Sequence, residues 1–208
     1  MFVFTVDART SSPAALRAHV LRWPSDVGTN ADGWLGNTAG VSGDGEFLLL
    51  MRFRSEESAL ITCDRPEYGT WWQLCKQHLA TPPVFTPSTD ITGILGGGSD
   101  AAATVQITRG RSAPSRLRAS LRELESMAVG ERSDVIGGFV AWHDEDRFIE
   151  ALYLSSEIPG RSPVQASKPL GRFMVSHASS IEDPRVTELP DPWLTSPSNL
   201  TSASQGAS

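Results

Sequence analysis

The stretch Phe47-Leu48-Leu49-Leu50-Met51-Arg52-Phe53 is apolar at every position but one and has the length of a strand. An equivalent run, Phe148-Ile149-Glu150-Ala151-Leu152-Tyr153-Leu154, follows 101 residues later. The same offset relates Gly36 to Gly137, Ser55-Glu56 to Ser156-Glu157 and Asp90 to Asp191, so one fold unit is written twice. Leu16, Val20 and Trp23 recur at i, i+4, i+7 behind Ser12-Pro13, the pattern of a capped amphipathic helix. Leu117, Leu121 and Leu124 behind Pro114 repeat it.

The remaining elements follow from local signals. Residues 2–6 read as a first strand, and Trp34 to Val41 as a second one softened by glycines. Ser42-Gly43-Asp44-Gly45 supplies a tight hairpin into the third strand. Val135 to Ala141 and the acidic turn Trp142 to Asp146 are the counterparts. Ser55-Glu56-Glu57 caps a second helical region that breaks at Pro66 and resumes through Trp71 to His78. Its counterpart, Ser156 to Ser180, is rich in proline and glycine, and its Phe173 is expected to pack inward. Pro83 to Thr86 and Pro184 to Thr187 read as fourth strands. Each half is thus β-α-β-β-α-β, the order of a ferredoxin-like unit.

A single such unit covers one sheet face with helices, so the expected fold is α+β: two tandem ferredoxin-like units packed sheet to sheet as an intramolecular barrel. The expected boundaries are residues 1–95 for the first unit, a flexible Gly-rich linker at 96–103, 104–194 for the second unit and a disordered tail at 195–208.

Composition narrows the function classes. A net charge of −6 has the wrong sign for a nucleic-acid binder or an anionic-membrane binder. No apolar run approaches the length that spans a bilayer, and no secretory leader pattern opens the chain, which makes the cytoplasm the expected compartment. Cys63 and Cys75 are too few for a disulfide framework. His19, His78, His143 and His177 form no HExxH or paired metal-ligand spacing, and no phosphate-binding loop is present. Neither a metal nor a cofactor is therefore expected. The expected partner is a hydrophobic small molecule, and the outer surfaces remain open to homo-oligomer formation.

The candidate chemistry centres on an Arg inside an apolar strand. Period-two alternation puts Arg52 on the face of Leu48 and Leu50, opposite Phe47, Leu49, Met51 and Phe53. A buried guanidinium must bind an anion or be paired, with Glu46 and Glu67 the candidate partners. Trp34 and Asn37, three apart, face opposite ways on a regular strand and share a face only across a bulge. Trp71 is the freer of the Trp71-Trp72 pair and a candidate pocket mouth. Tyr153 takes the place of Arg52 in the second half, so the halves are not expected to share chemistry.

The blocks Asp32-Gly33-Trp34-Leu35-Gly36-Asn37-Thr38-Ala39-Gly40-Val41, Asp64-Arg65-Pro66-Glu67-Tyr68-Gly69-Thr70-Trp71-Trp72 and Asp191-Pro192-Trp193-Leu194 resemble those of the dimeric α+β barrel superfamily. Within it, the chain is most similar to a tandem group of antibiotic-biosynthesis-monooxygenase-like proteins. That superfamily includes cofactor-free oxygenases, haem-degrading proteins and cyclases. The resemblance implies a cofactor-independent monooxygenase or a cyclase acting on an aromatic substrate. Arg52 and Asn37 would be its catalytic pair, and Trp34, Leu48, Leu50, Trp71 and Tyr153 would line the substrate site. A non-catalytic ligand-binding or stress-associated protein, and a structural barrel filled by its own side chains, stand beside that reading.

Overall fold

The structure is a computed structural model that describes residues 1–128, 134–155 and 180–198. Two compact units emerge, Met1–Asp90 with Pro192–Ser208 and Ile91–Asp191. The first unit contains β1 (Phe2–Arg9), α1 (Pro13–Val20), α2 (Trp23–Asp26), β2 (Trp34–Val41), β3 (Glu46–Phe53), α3 (Glu56–Cys63), α4 (Pro66–Lys76) and β4 (Val84–Ser88). The second contains β5 (Asp90–Ile94), β6 (Thr104–Arg111), α5 (Pro114–Ala128), β7 (Val135–Trp142), β8 (Arg147–Leu154) and β9 (Glu182–Leu189). A last strand, β10 (Trp193–Thr195), returns to the first unit. The α+β class and the tandem organisation expected from the repeat are both present.

Each sheet has five strands, in the orders β10-β2-β3-β1-β4 and β5-β7-β8-β6-β9. The strands β2-β3-β1-β4 and β7-β8-β6-β9 follow the ferredoxin-like order, and the fifth strand at the other edge is the departure from expectation. The end of each half forms a strand on the edge of the other half's sheet, beside β2 or β7. The boundaries shift accordingly. The first unit ends at Asp90 instead of residue 95, and Thr195 and Ser196, expected in a disordered tail, are buried. Residues 199–208 lie outside the described residues, as does the expected helical region at 156–179 with Phe173.

The Gly-rich linker is also more than a tether. The Gly97 carbonyl packs so closely on Gly137 that no Cβ would fit there. In the first unit the matching glycine, Gly36, has Thr195 O at 2.8 Å and Arg52 Nη2 at 2.6 Å from where its Cβ would stand, with φ +138°. Glycine is required at both positions because the chain segment following an edge strand lies across it.

The helical stripes sit where the periodicity puts them. Leu16, Val20 and Trp23 are fully buried against Phe2, Val6, Phe47, Leu49, Met51 and Phe53, while Leu117, Leu121 and Leu124 form the second core with Val140, Phe148 and Leu152. Ser55 accepts the amide of Ser58 while Ser58 Oγ accepts the Ser55 amide, a reciprocal cap that starts α3, and Pro66 opens α4 as the sequence predicts. Ser12 stands at the N-cap of α1 without a side-chain cap bond. In each sheet the face without helices is buried as well: Val3, Thr5, Thr38, Leu48, Leu50 and Arg52 in the first, Ile107, Phe139, Ile149 and Tyr153 in the second.

Candidate functional site

The register of β2 against β3 decides which candidate residues meet. Trp34 pairs with Phe53 and Gly36 with Arg52, so Leu35 is an extra residue in a bulge. The bulge restores Trp34 to the same face as Asn37, which pairs with Met51. There the Trp34 indole Nε1 donates to Asn37 Oδ1 at 2.9 Å. An indole can only donate, so this bond fixes which end of the amide is oxygen and leaves Asn37 Nδ2 pointing elsewhere. The same bulge recurs in the second unit between Val135 and Gly137.

That shared face is the helix side of the sheet. Arg52, Leu48 and Leu50 lie on the other side, as alternation predicts, so the expected catalytic pair of Arg52 and Asn37 does not form one site. The physical reason is register: Asn37 pairs with Met51, the neighbour of Arg52 on β3, so the pleat sends the two side chains to opposite faces, and the bulge brings only Trp34 round to Asn37. Tyr153 belongs to the helix-free face of the second unit, where it pairs with Gly137 as Arg52 does with Gly36. Glu67, a candidate partner for Arg52, pairs with Arg65 instead at 2.6 Å, and that contact holds its carboxyl below the usual range.

Around Trp34 and Asn37 the first unit builds an aromatic interior. Trp34 lies 6.2 Å from Trp23 between ring centroids, Trp23 4.9 Å from Trp71, and Trp71 5.0 Å from Trp72, the last two contacts edge to face. Trp71 is 1% and Trp72 4% exposed, so of the two roles open to Trp71, core side chain or pocket mouth, the structure gives it the core. Its outer side is covered by His19, whose ring stacks on the indole at 4.9 Å.

Three donors in this interior are buried without an acceptor among the described residues: Trp23 Nε1, Asn37 Nδ2 and Trp71 Nε1. Buried donors are nearly always satisfied, because leaving one unpaired costs about 1–3 kcal/mol. Three in one aromatic interior is unusual. The second unit lacks this arrangement: Trp23, Trp34 and Asn37 become Leu124, Val135 and Gly138, and Leu49 becomes a fully buried Glu150.

His19 was legible in the sequence only as one of four scattered histidines. Its Nε2 lies 2.9 Å from the Trp71 carbonyl, and a carbonyl only accepts, so Nε2 carries the proton. Burial lowers its pKa, which leaves the ring neutral with Nδ1 unprotonated at neutral pH. Cys75, buried in the same unit, has its thiol pushed up to about 12 by burial and is inert as a nucleophile. Burial raises the Cys63 thiol too. Among the described residues no group of His, Cys, Asp or Glu is placed to hold a metal ion, and no helix is long and apolar enough to cross a membrane.

No protein-family model matches the sequence, and no curated protein is similar to it. Solved structures do match over the whole chain. A provisionally named monooxygenase of Fusobacterium nucleatum subsp. nucleatum aligns over 94% of each chain with a TM-score of 0.72 at 7% identity. A second such protein, from Lactobacillus acidophilus NCFM, aligns over 94% of this chain and 96% of that one with a TM-score of 0.66 at 8% identity. An anthrone oxidase-like protein covers 94% of this chain and 93% of its own, with a TM-score of 0.54 at 12% identity. The chain therefore shares the fold of these three proteins over nearly its whole length.

Proposed function

We propose that the first unit binds a flat aromatic small molecule bearing acceptor oxygens, and that it holds this molecule between sheet and helices at the Asn37 end of the tryptophan cluster. The observation that carries the reading is the set of buried donors without acceptors, Asn37 Nδ2 and Trp71 Nε1 above all. A carbonyl, phenolate or enolate oxygen satisfies such donors, and the indole faces stack on its ring. The aromatic walls supply apolar contact, and the few donors fix orientation.

The chemistry this arrangement favours is cofactor-independent oxygenation of an enolisable substrate. Asn37 Nδ2 donates to the enolate oxygen of the substrate and favours the ionised form that reacts with dioxygen. With an anthrone, the class named for one structural neighbour, the carbanion reduces dioxygen, the methylene becomes a carbonyl and water leaves. Arg52, on the opposite face, takes no part in this site.

A second reading is a structural protein with a filled interior. It is supported by the burial of Trp34 at 3%, Leu48 at 6%, Leu50 at 0% and Tyr153 at 0% exposure. Oxygen consumption in the presence of 1,8-dihydroxyanthrone, with Asn37→Leu beside the wild type, separates the readings. Uptake above the uncatalysed rate that this substitution abolishes supports an oxygenase. Saturable binding without uptake supports a binding protein, and neither binding nor uptake supports the filled interior.

A further inference from the structure

The first unit carries a groove on its outer surface, bounded by Phe85 where that ring packs on Trp72. It encloses about 500 Å³ where the end of α4 and the segment after it meet the start of β4. Its walls are Leu79, Pro82, Pro83 and Phe85, and Lys76 stands at its rim. From these side chains we infer a binding site for a small amphipathic carboxylate, an aromatic or branched apolar body with one anionic end.

The groove is pre-formed. The Ala80 amide donates to Arg9 O at 2.7 Å, the Arg9 amide donates to Thr81 Oγ1 at 2.9 Å, and Thr10 Oγ1 donates to His78 O at 2.6 Å, so the wall from His78 to Thr81 is tied to the end of β1. Two successive prolines stiffen the next segment. Trp72 packs edge to face on Phe85 at 4.9 Å and holds that ring in place, yet Phe85 stays 40% exposed. Val84 beside it is 61% exposed, which is unusual for apolar residues on an edge strand.

Charge selects the ligand class. Lys76 makes no ion pair or side-chain hydrogen bond among the described residues, although the chain carries a net charge of −6. Its place in the last turn of α4 suits the helix dipole and leaves the ammonium open to a carboxylate. The volume fits a small molecule and is too small for a protein surface.

The test uses the full chain and 1-naphthylacetate as probe, followed by amide chemical shifts and a fitted Kd. Saturable shifts confined to residues 76–86 are expected, with Lys76→Gln weakening binding about fivefold, as the loss of one exposed charge pair does, and Lys76→Arg retaining it. The uncharged 1-naphthaleneethanol is expected to bind about fivefold more weakly than the acid for the same reason. Shifts outside the groove, equal affinity for the alcohol, or an unchanged Kd in Lys76→Gln would each overturn the inference. Asn37→Leu should leave this binding untouched, which keeps it separate from the proposed interior site.

Discussion

Gly36 shows how a single position carries the fold. A methyl group there meets Arg52 Nη2 at 2.6 Å and Thr195 O at 2.8 Å, at a backbone angle that L side chains avoid. Gly36→Ala is expected to cost about 2–3 kcal/mol, visible as a lower midpoint in urea unfolding. Asn37→Ala leaves the Trp34 indole buried without its acceptor and should cost about 1–3 kcal/mol by the same measurement. His19 adds a pH dependence with a defined sign. Its folded pKa lies below the ordinary value near 6.5, so below that value the unfolded chain binds more protons and stability falls with acid. Unfolding midpoints recorded from pH 8 downward should be flat to about 6.5 and then decline, with His19→Gln flattening part of that decline. Equal slopes for the two proteins would remove His19 from this account.

At the scale of elements, what was legible depended on how many residues each signal spans. The stripes Leu16, Val20, Trp23 and Leu117, Leu121, Leu124, the alternation across β3 and the break at Pro66 all rest on several residues and all hold in the structure. The swapped strands escaped because β10 has three residues and β5 runs into glycines, so neither presents a periodicity of its own. The bulge at Leu35 escaped as a certainty for a related reason, since the flanking glycines permit it without requiring it. That bulge brings Trp34 to the helix face beside Asn37, while the regular register that pairs Asn37 with Met51 keeps Asn37 on the opposite face from Arg52. The edge strand itself is testable. Trp193 is 6% exposed and stacks on Phe47 at 6.0 Å, and β10 covers the edge of β2 from Asn37 to Ala39. Trp193→Ala should cost about 3 kcal/mol, and deletion from Pro192 onward should leave the β2 edge open to self-association, measured as aggregation on heating.

For the whole molecule, duplication followed by divergence explains the asymmetry between the units. Both keep the bulge, the glycine beside it and the swapped edge strand, which are demands of the backbone. Only the first has Trp23, Trp34, Trp71, Trp72, Asn37 and His19, where the second has Leu124, Val135, Arg172, Phe173, Gly138 and Ser120. The repeat made the two-unit organisation readable from the sequence, whereas the location of the site depended on a register that no pattern specifies.

The most direct test of the central claim is the nitrogen–proton spectrum of the six indoles and the Asn37 side-chain amide while 1,8-dihydroxyanthrone is added without oxygen. The account expects the Trp71 indole and Asn37 amide protons to move downfield in saturable fashion, with the Trp34 indole, already bonded to Asn37, moving least. Resonances of Trp71 and Asn37 that stay fixed at saturating ligand would contradict it.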